Sequence, residues 1–403
     1  MINSDNWYKM FVYIFELILV FVCALYFTSA KLQQQKAVLA VIVLFVALVC
    51  GLGDMLGGYD RYIYGEVFDT TVDERASGVH IFLTSAFNYA EKEKGYALYN
   101  YLLTYITSNR YIFILITTLL VYAALYRHII RYSKSPLLAF SLLFCIYYFF
   151  TFTYLRQIMA LCVAWFSVPY AIRRKPIPFF AIIALAATFH NSALLAGGFY
   201  FIAGYRFSKK QVWMIVTGAL VLGLTPVSSF LFNTLGGTVN EEKTQLSSSG
   251  TGGARIEYII EAMFFLYIIL RRYERIGKDK LSLCMLNIAL GFIFVLCFFV
   301  RFQDGGRMSW FYLIGVVCTI AEILAKEARG SYLRIVTLSF MAVLYLRVLT
   351  LWGIQLSPYK TFLTNGIREG DVIEEMYEYD RNYSNDKLYR PVFGPIDDRA
   401  SYN

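Results

Sequence analysis

The chain has 403 residues, of which 58% are hydrophobic, 18% aromatic and 16% charged. Soluble domains carry about 45–50% apolar and about 25% charged residues, so a water-soluble core of this size cannot hide so much apolar surface, and disordered, fibrous and disulfide-rich secreted classes are excluded with it. The net charge of +9 fits basic cytoplasmic loops and anionic lipid contact, not nucleic acid.

Charge-free runs such as Tyr111–Tyr126 and Pro136–Thr153 read as membrane-spanning helices. In chain order the expected spans are 8–29, 37–54, 111–127, 136–153 and 157–172. A problem segment follows at 177–204, then 212–233, 256–270, 281–300, 308–325 and 334–353. The first span is too long for the apolar core of a cleavable signal. All seven cysteines fall inside apolar runs and read as small buried hydrophobes, with no metal site.

The problem segment follows from loop charge. Arg173/Arg174/Lys175 and Arg206/Lys209/Lys210 are both basic and both belong in the cytoplasm, so an even number of crossings separates them. Two full spans need about 40 residues, which Pro176–Gly204 cannot supply. We therefore expect a broken hairpin over 177–204 with its apex at Phe189-His190-Asn191-Ser192. That apex lies inside the outer part of the membrane, where irregular backbone must line a protein-walled cavity.

The expected fold class is thus all-α: a polytopic integral membrane protein of about 12 hydrophobic legs, ten full spans plus the short broken hairpin. Residues 1–353 form one transmembrane bundle that includes an external loop, 55–110, and residues 354–403 form an external C-terminal tail. Tyr96–Ser108 reads as an interfacial helix and Leu246–Gly253 as a flexible external loop.

Several residues could carry chemistry. Arg156 and Gln157 sit at an external turn, where a guanidinium suits phosphate or carboxylate. The bland alternative is a snorkelling arginine. Arg301 and Arg307 flank Asp304 at a second external turn. Two arginines there run against the charge bias and suggest an anionic ligand, or else an Arg–Asp pair that holds the turn. His190 is the only histidine inside an expected membrane segment. Asn191 and Ser192 follow it and are good N-cap residues, so the second leg should open with backbone N–H groups that favour an anion. A histidine there can accept a proton near neutral pH. Glu16, Glu261 and Glu322 lie inside spans and are read as structural partners of nearby polar side chains. The sequence holds no phosphate-binding glycine loop and no external DxD pair, so nucleotide and metal-dependent nucleotide-sugar chemistry are unsupported.

These motifs resemble the EpsG family of Wzy-like polysaccharide polymerases. The matching residues are Gly58-Tyr59-Asp60 with Tyr64 and Phe68, Glu93-Lys94-Gly95-Tyr96, and Leu155-Arg156-Gln157 with Ala160. They continue with Ala187 to Ala193, Arg307 opening a late span, and Pro358-Tyr359. The resemblance implies polymerisation of repeat units linked to undecaprenyl pyrophosphate, at the outer face of a bacterial cytoplasmic membrane and without a cofactor. The partners implied are the lipid-linked oligosaccharide, membrane lipids, a flippase and a chain-length regulator. On that reading Arg156, Arg301 and Arg307 stabilise the leaving pyrophosphate, supported by Gln157, Asn191 and Ser192. His190 takes the acceptor proton, with Asp60 and Glu93 as runners-up. A lipid-linked glycan transporter and an O-antigen-ligase-like transferase are the alternatives.

Overall fold

Long runs of Leu, Ile, Val, Phe and Ala leave a chain in lipid no way to satisfy its backbone polar groups except within helices. The computed structural model of the protein describes residues 10–53, 60–228, 254–302, 305–356, 359, 361 and 363. Among these, the ordered elements are helical, and the one extended pairing is an isolated antiparallel bridge between Gly53 and Thr361. Gly58, Tyr59, Asp304, Pro358, the 246–253 loop and the tail beyond 363 lie outside the described residues.

Among the described residues, six helices are long and apolar enough to cross a membrane: Leu32–Leu52, Arg110–Tyr132, Leu155–Ile172, Lys280–Phe298, Gly305–Ala325 and Tyr332–Leu351. The other expected legs are shorter helices: Phe11–Phe27, Pro136–Tyr147, Pro176–Ala187, Asn191–Ile202, Lys209–Leu224 and Ile256–Arg271.

The organising element is Pro136–Tyr147, extended by a 3-10 turn at Phe149–Phe152. Every one of its twelve helical residues is buried. A helix that is apolar all round belongs in the centre of a bundle, and this one packs against Phe11–Phe27, Leu32–Leu52, Leu313–Ala325 and Tyr332–Leu351. Among the described residues, Lys280–Phe298 packs extensively along Leu313–Ala325. Gly315 makes that approach possible, since a Cβ there would stand 2.7 Å from Ile288 Cβ. Small residues at such crossings let backbones meet in lipid.

Carboxylates inside the bundle have local partners. Glu16 accepts the Tyr148 hydroxyl at 2.6 Å. Glu322 accepts from Ser282 Oγ at 2.9 Å and Lys326 Nζ at 2.8 Å. The sequence reading missed one buried histidine: Arg110–Tyr132 runs past the expected span end, so His128 is fully buried, with Nε2 2.9 Å from the Cys162 carbonyl.

Residues 61–109 form a separate helical module on one end of the bundle. Its helices are Arg61–Ala76, Ser85–Tyr89 and Lys94–Leu103. They share an apolar cluster with the starts of two bundle helices, through Tyr111, Phe113 and Leu155. The Phe68 and Phe113 rings stack at 4.4 Å. Arg110, almost fully buried, anchors the module by donating from Nε to Asp69 at 2.6 Å and from Nη2 to Glu66 at 3.3 Å. Two acidic residues three apart share one helix face, a spacing that makes this anchor legible in hindsight. A buried ion pair of this kind is costly to break, by about 3–5 kcal/mol when one partner is removed.

The segment after Lys175 doubles back on itself. Pro176–Ala187 ends in a turn at 188–190, and the chain returns as a 3-10 turn, Asn191–Gly197, and the short helix Gly198–Ile202. Tyr200 returns beside Phe179 and Phe180, with ring centroids 5.3 and 5.5 Å apart. The turn at 188–190 is presented to the 61–109 module.

Candidate active site

Four segments distant in sequence meet where the module, the hairpin turn and the bundle touch. The first is the start of the Leu155–Trp165 helix. Thr153 Oγ1 accepts the Asp60 backbone N–H at 2.7 Å, tying the module's first helix to it. Arg156 is the second residue of that helix, so its side chain projects from the end rather than into the core.

Glu93 forms the link. It is the residue before the Lys94–Leu103 helix. Its Oε2 accepts Arg156 Nη1 at 2.6 Å, and its Oε1 accepts the Asn191 backbone N–H at 3.2 Å. His190 Nδ1 lies 4.0 Å from the same Oε1. The anion expected at the head of the second hairpin leg is thus supplied by the chain itself. Gly95 allows the approach: its N–H and that of Tyr96 donate to the Thr188 carbonyl at 2.9 and 3.2 Å. A Cβ on Gly95 would overlap Thr188 Oγ1 and stand 2.8 Å from Thr188 Cβ.

The helix start at the hairpin turn differs from the sequence reading. Asn191 and Ser192 were expected to cap the second leg. His190 is the capping residue instead, in an extended conformation (φ −160°, ψ 124°), and its ring accepts the Ser192 N–H. The imidazole reaches this donor because it carries an acceptor at about the position of an Asn or Asp side-chain oxygen.

Arg156 lies over the Tyr89 ring at 4.7 Å, and Tyr89 meets Tyr64 edge to face at 6.2 Å. Burial raises the Tyr64 phenol well above its usual range, and the neighbouring Tyr89 adds to this, with Arg156 partly opposing. Burial raises Tyr89 too, against the pull of Arg156, while the Asp60 and Glu93 charges add to the rise. Both phenols therefore stay protonated. Asp60 is brought to this side of the group through Tyr64 and Tyr89.

Gln157 connects the fourth segment. Its Nε2 donates to the Arg307 carbonyl at 2.9 Å, and its Oε1 accepts Arg307 Nε at 3.1 Å. Gln157 is 1% exposed, so this amide is a fixed, two-way clasp. The Arg307 guanidinium lies 4.2 Å over the Tyr154 ring. Adjacent residues of one helix thus hold one arginine and position a second.

The structure brings together Glu93, Arg156, Gln157, His190, Asn191, Ser192 and Arg307, with Asp60 on their flank. It does not join Arg301 to them. Arg301 is exposed, and its Nη1 lies 3.4 Å from the Leu224 carbonyl, at a helix C-terminus where a cation is favoured. Tyr89 went unrecognised in the sequence, since it stands in no pattern that marks it, and Thr188 stood out only as part of the Ala187–Ala193 motif. Among the described residues no group of three or more His, Cys, Asp and Glu side chains is placed to hold a metal ion.

A sequence model of the EpsG family matches residues 36–361. This chain belongs to the EpsG family. That family is of the Wzy-like polymerase type, so the protein is a membrane protein of polysaccharide biosynthesis. No curated protein and no solved structure matches the chain. The matched region of this EpsG-family protein contains every residue of the group just described.

Proposed function

We propose that this EpsG-family protein polymerises oligosaccharide repeat units carried on undecaprenyl pyrophosphate. The reaction takes place at the outer face of the bacterial cytoplasmic membrane. The growing chain passes from its lipid pyrophosphate to a hydroxyl of the next unit. The bond between the anomeric carbon and the phosphate oxygen breaks, a new C–O bond to the acceptor forms, and the hydroxyl proton is taken up by the protein.

The observation that carries this reading is the pairing of two arginines through neighbouring residues, Arg156 held by Glu93 and Arg307 clasped by Gln157. A leaving pyrophosphate develops charge that fixed guanidinium donors stabilise without reorganisation. Tyr89 and Tyr154, half-buried beneath the two guanidiniums, add phenols suited to sugar hydroxyls. The hairpin turn that carries His190 supports a membrane-level site, because irregular backbone survives at that depth only where protein surrounds it. A flippase and a chain-length regulator would work on either side of this step.

Purified protein in detergent or vesicles, given lipid-linked repeat units, should convert them to a ladder of longer glycans. Transport of intact units without bond formation would overturn the reading. Transfer to a lipid A core sugar in place of a second repeat unit would make the protein a ligase.

A further inference from the structure

The position of the proton on the His190 ring follows from its surroundings. His190 Nδ1 lies 3.3 Å from Ser192 N and 2.6 Å from Ser192 Oγ. The hydroxyl could donate or accept, but a backbone N–H can only donate. Nδ1 must therefore offer a lone pair, and the neutral imidazole carries its proton on Nε2. Glu93 does not reverse this. Its Oε1 is 4.0 Å from Nδ1, beyond hydrogen-bond distance, and already accepts the Asn191 N–H.

A histidine that takes a proton from a sugar hydroxyl through Nε2 needs that nitrogen unprotonated. Its proton would then sit on Nδ1 and face the Ser192 N–H. The hairpin turn is built against that arrangement, because the same Nδ1 caps the second leg. We propose that His190 serves this reaction as a hydrogen-bond donor from Nε2–H to the lipid pyrophosphate, and not as the acceptor of the hydroxyl proton. The assignment rests on the polymerase reading above. The His190 proton stays on Nε2 throughout, and the bond to a phosphate oxygen strengthens as charge builds on the leaving group. The hydroxyl proton then goes to a carboxylate. We assign that role to Asp60, whose charge acts on Tyr64 and Tyr89 beside Arg156, because Glu93 serves to hold Arg156 and Asn191.

The tautomer can be read without any activity measurement. The chain has three histidines, so solid-state nitrogen spectra of histidine-labelled protein can be assigned by difference from a His190→Ala variant. A protonated Nε2 and an unprotonated Nδ1 are expected for His190, and the reverse overturns the proposal. Turnover of lipid-linked units supplies the second arm. His190→Gln places an amide N–H near the position of Nε2, whereas His190→Asn keeps an acceptor near Nδ1 but no donor that reaches as far. The glutamine variant should stay within about tenfold of the unmodified protein, and the alanine and asparagine variants should lose about 10²–10³ in rate. A glutamine variant as inactive as alanine also overturns the donor role. Inactivity of the unmodified protein towards lipid-linked units would instead sink the polymerase reading and leave the nitrogen assignment standing on its spectra.

Discussion

Glu93 receives Arg156 Nη1 on one carboxylate oxygen at 2.6 Å and the Asn191 backbone N–H on the other at 3.2 Å. One side chain thereby fixes both a cation at a bundle helix start and the turn of a hairpin nearly a hundred residues further on. A carboxylate bound twice in this way is an anchor for its neighbours before it is a reagent.

The arginine in that pair should resist conservative replacement. Arg156→Lys and Arg156→Ala are both expected to abolish polymer, each costing about 10²–10³ in rate. An ammonium cannot reproduce the planar fork that holds Glu93, lies on Tyr89 and still offers donors to a phosphate. Loss of the cation also strands a largely buried carboxylate, so the alanine variant should accumulate less well in membranes. Pairing it with Glu93→Gln removes the stranded charge and should restore the protein's level without restoring polymer. The ladder of glycan lengths and the amount of membrane-inserted protein are the readouts. A lysine variant with normal ladders would reduce Arg156 to a structural residue.

Gly95→Ala should inactivate the protein while leaving it folded in the membrane. The new methyl group would overlap Thr188 Oγ1 and press on Thr188 Cβ, 2.8 Å away. Either the helix start, which carries Glu93, or the hairpin turn, which carries its partner Asn191, must shift. Thr188→Gly removes both clashing side-chain atoms, so the double variant should recover a part of the lost activity. The Thr188 carbonyl would still lie 3.1 Å from the added Cβ, which limits the recovery. No difference between the single and double variants would show that this contact does not control the site.

The bundle and the hairpin's position were legible because hydrophobic run length and loop charge are one-dimensional properties. Arg156 with Gln157, and His190 with Asn191, stood out for the same reason: each is polar where the surrounding runs are not. How they combine was not legible. Grouping Arg301 with Arg307 followed their nearness in sequence, but Arg301 turns to the end of another helix. Casting Asn191 as the cap followed its propensity, whereas the backbone reached an extended conformation one residue earlier and used the imidazole. The Glu93 link depends on a contact between segments nearly a hundred residues apart, which no local periodicity encodes.

The two basic loops that bracket the hairpin should be accessible from one side of the membrane. The Arg174 guanidinium donates to the Tyr200 carbonyl and comes within 2.6 Å of a Cβ placed on Gly204. The two loops therefore sit side by side at one end of the bundle. Single cysteines introduced by Lys175→Cys and Lys209→Cys, both at exposed positions, should react with an impermeant maleimide from the cytoplasmic side alone. Labelling from opposite sides would mean that 176–204 crosses the membrane once.

The end of the bundle where these basic loops lie also holds a charge pair whose contribution should depend on pH. Lys134 Nζ lies 2.8 Å from Asp279 Oδ2. Partial burial pushes the Asp279 carboxyl up, but the Lys134 ammonium and the Ser282 N–H and hydroxyl outweigh it and hold the carboxyl well below its usual range. A carboxyl lowered on folding stabilises the folded state above its unfolded range, near about pH 4, and the benefit fades as pH falls through the lower folded value. Asp279 also caps the Lys280–Phe298 helix by accepting the Ser282 N–H at 3.1 Å. Asparagine caps equally well, so Asp279→Asn removes the charge and keeps the cap. The variant's thermal midpoint in detergent should lie slightly below the unmodified protein's at pH 7, by less than about 1 kcal/mol of stability because both partners are half exposed. The two midpoints should converge as the pH is taken below about 4. A gap that persists unchanged at low pH would show that Asp279 acts through its shape and hydrogen bonds, with no contribution from its charge.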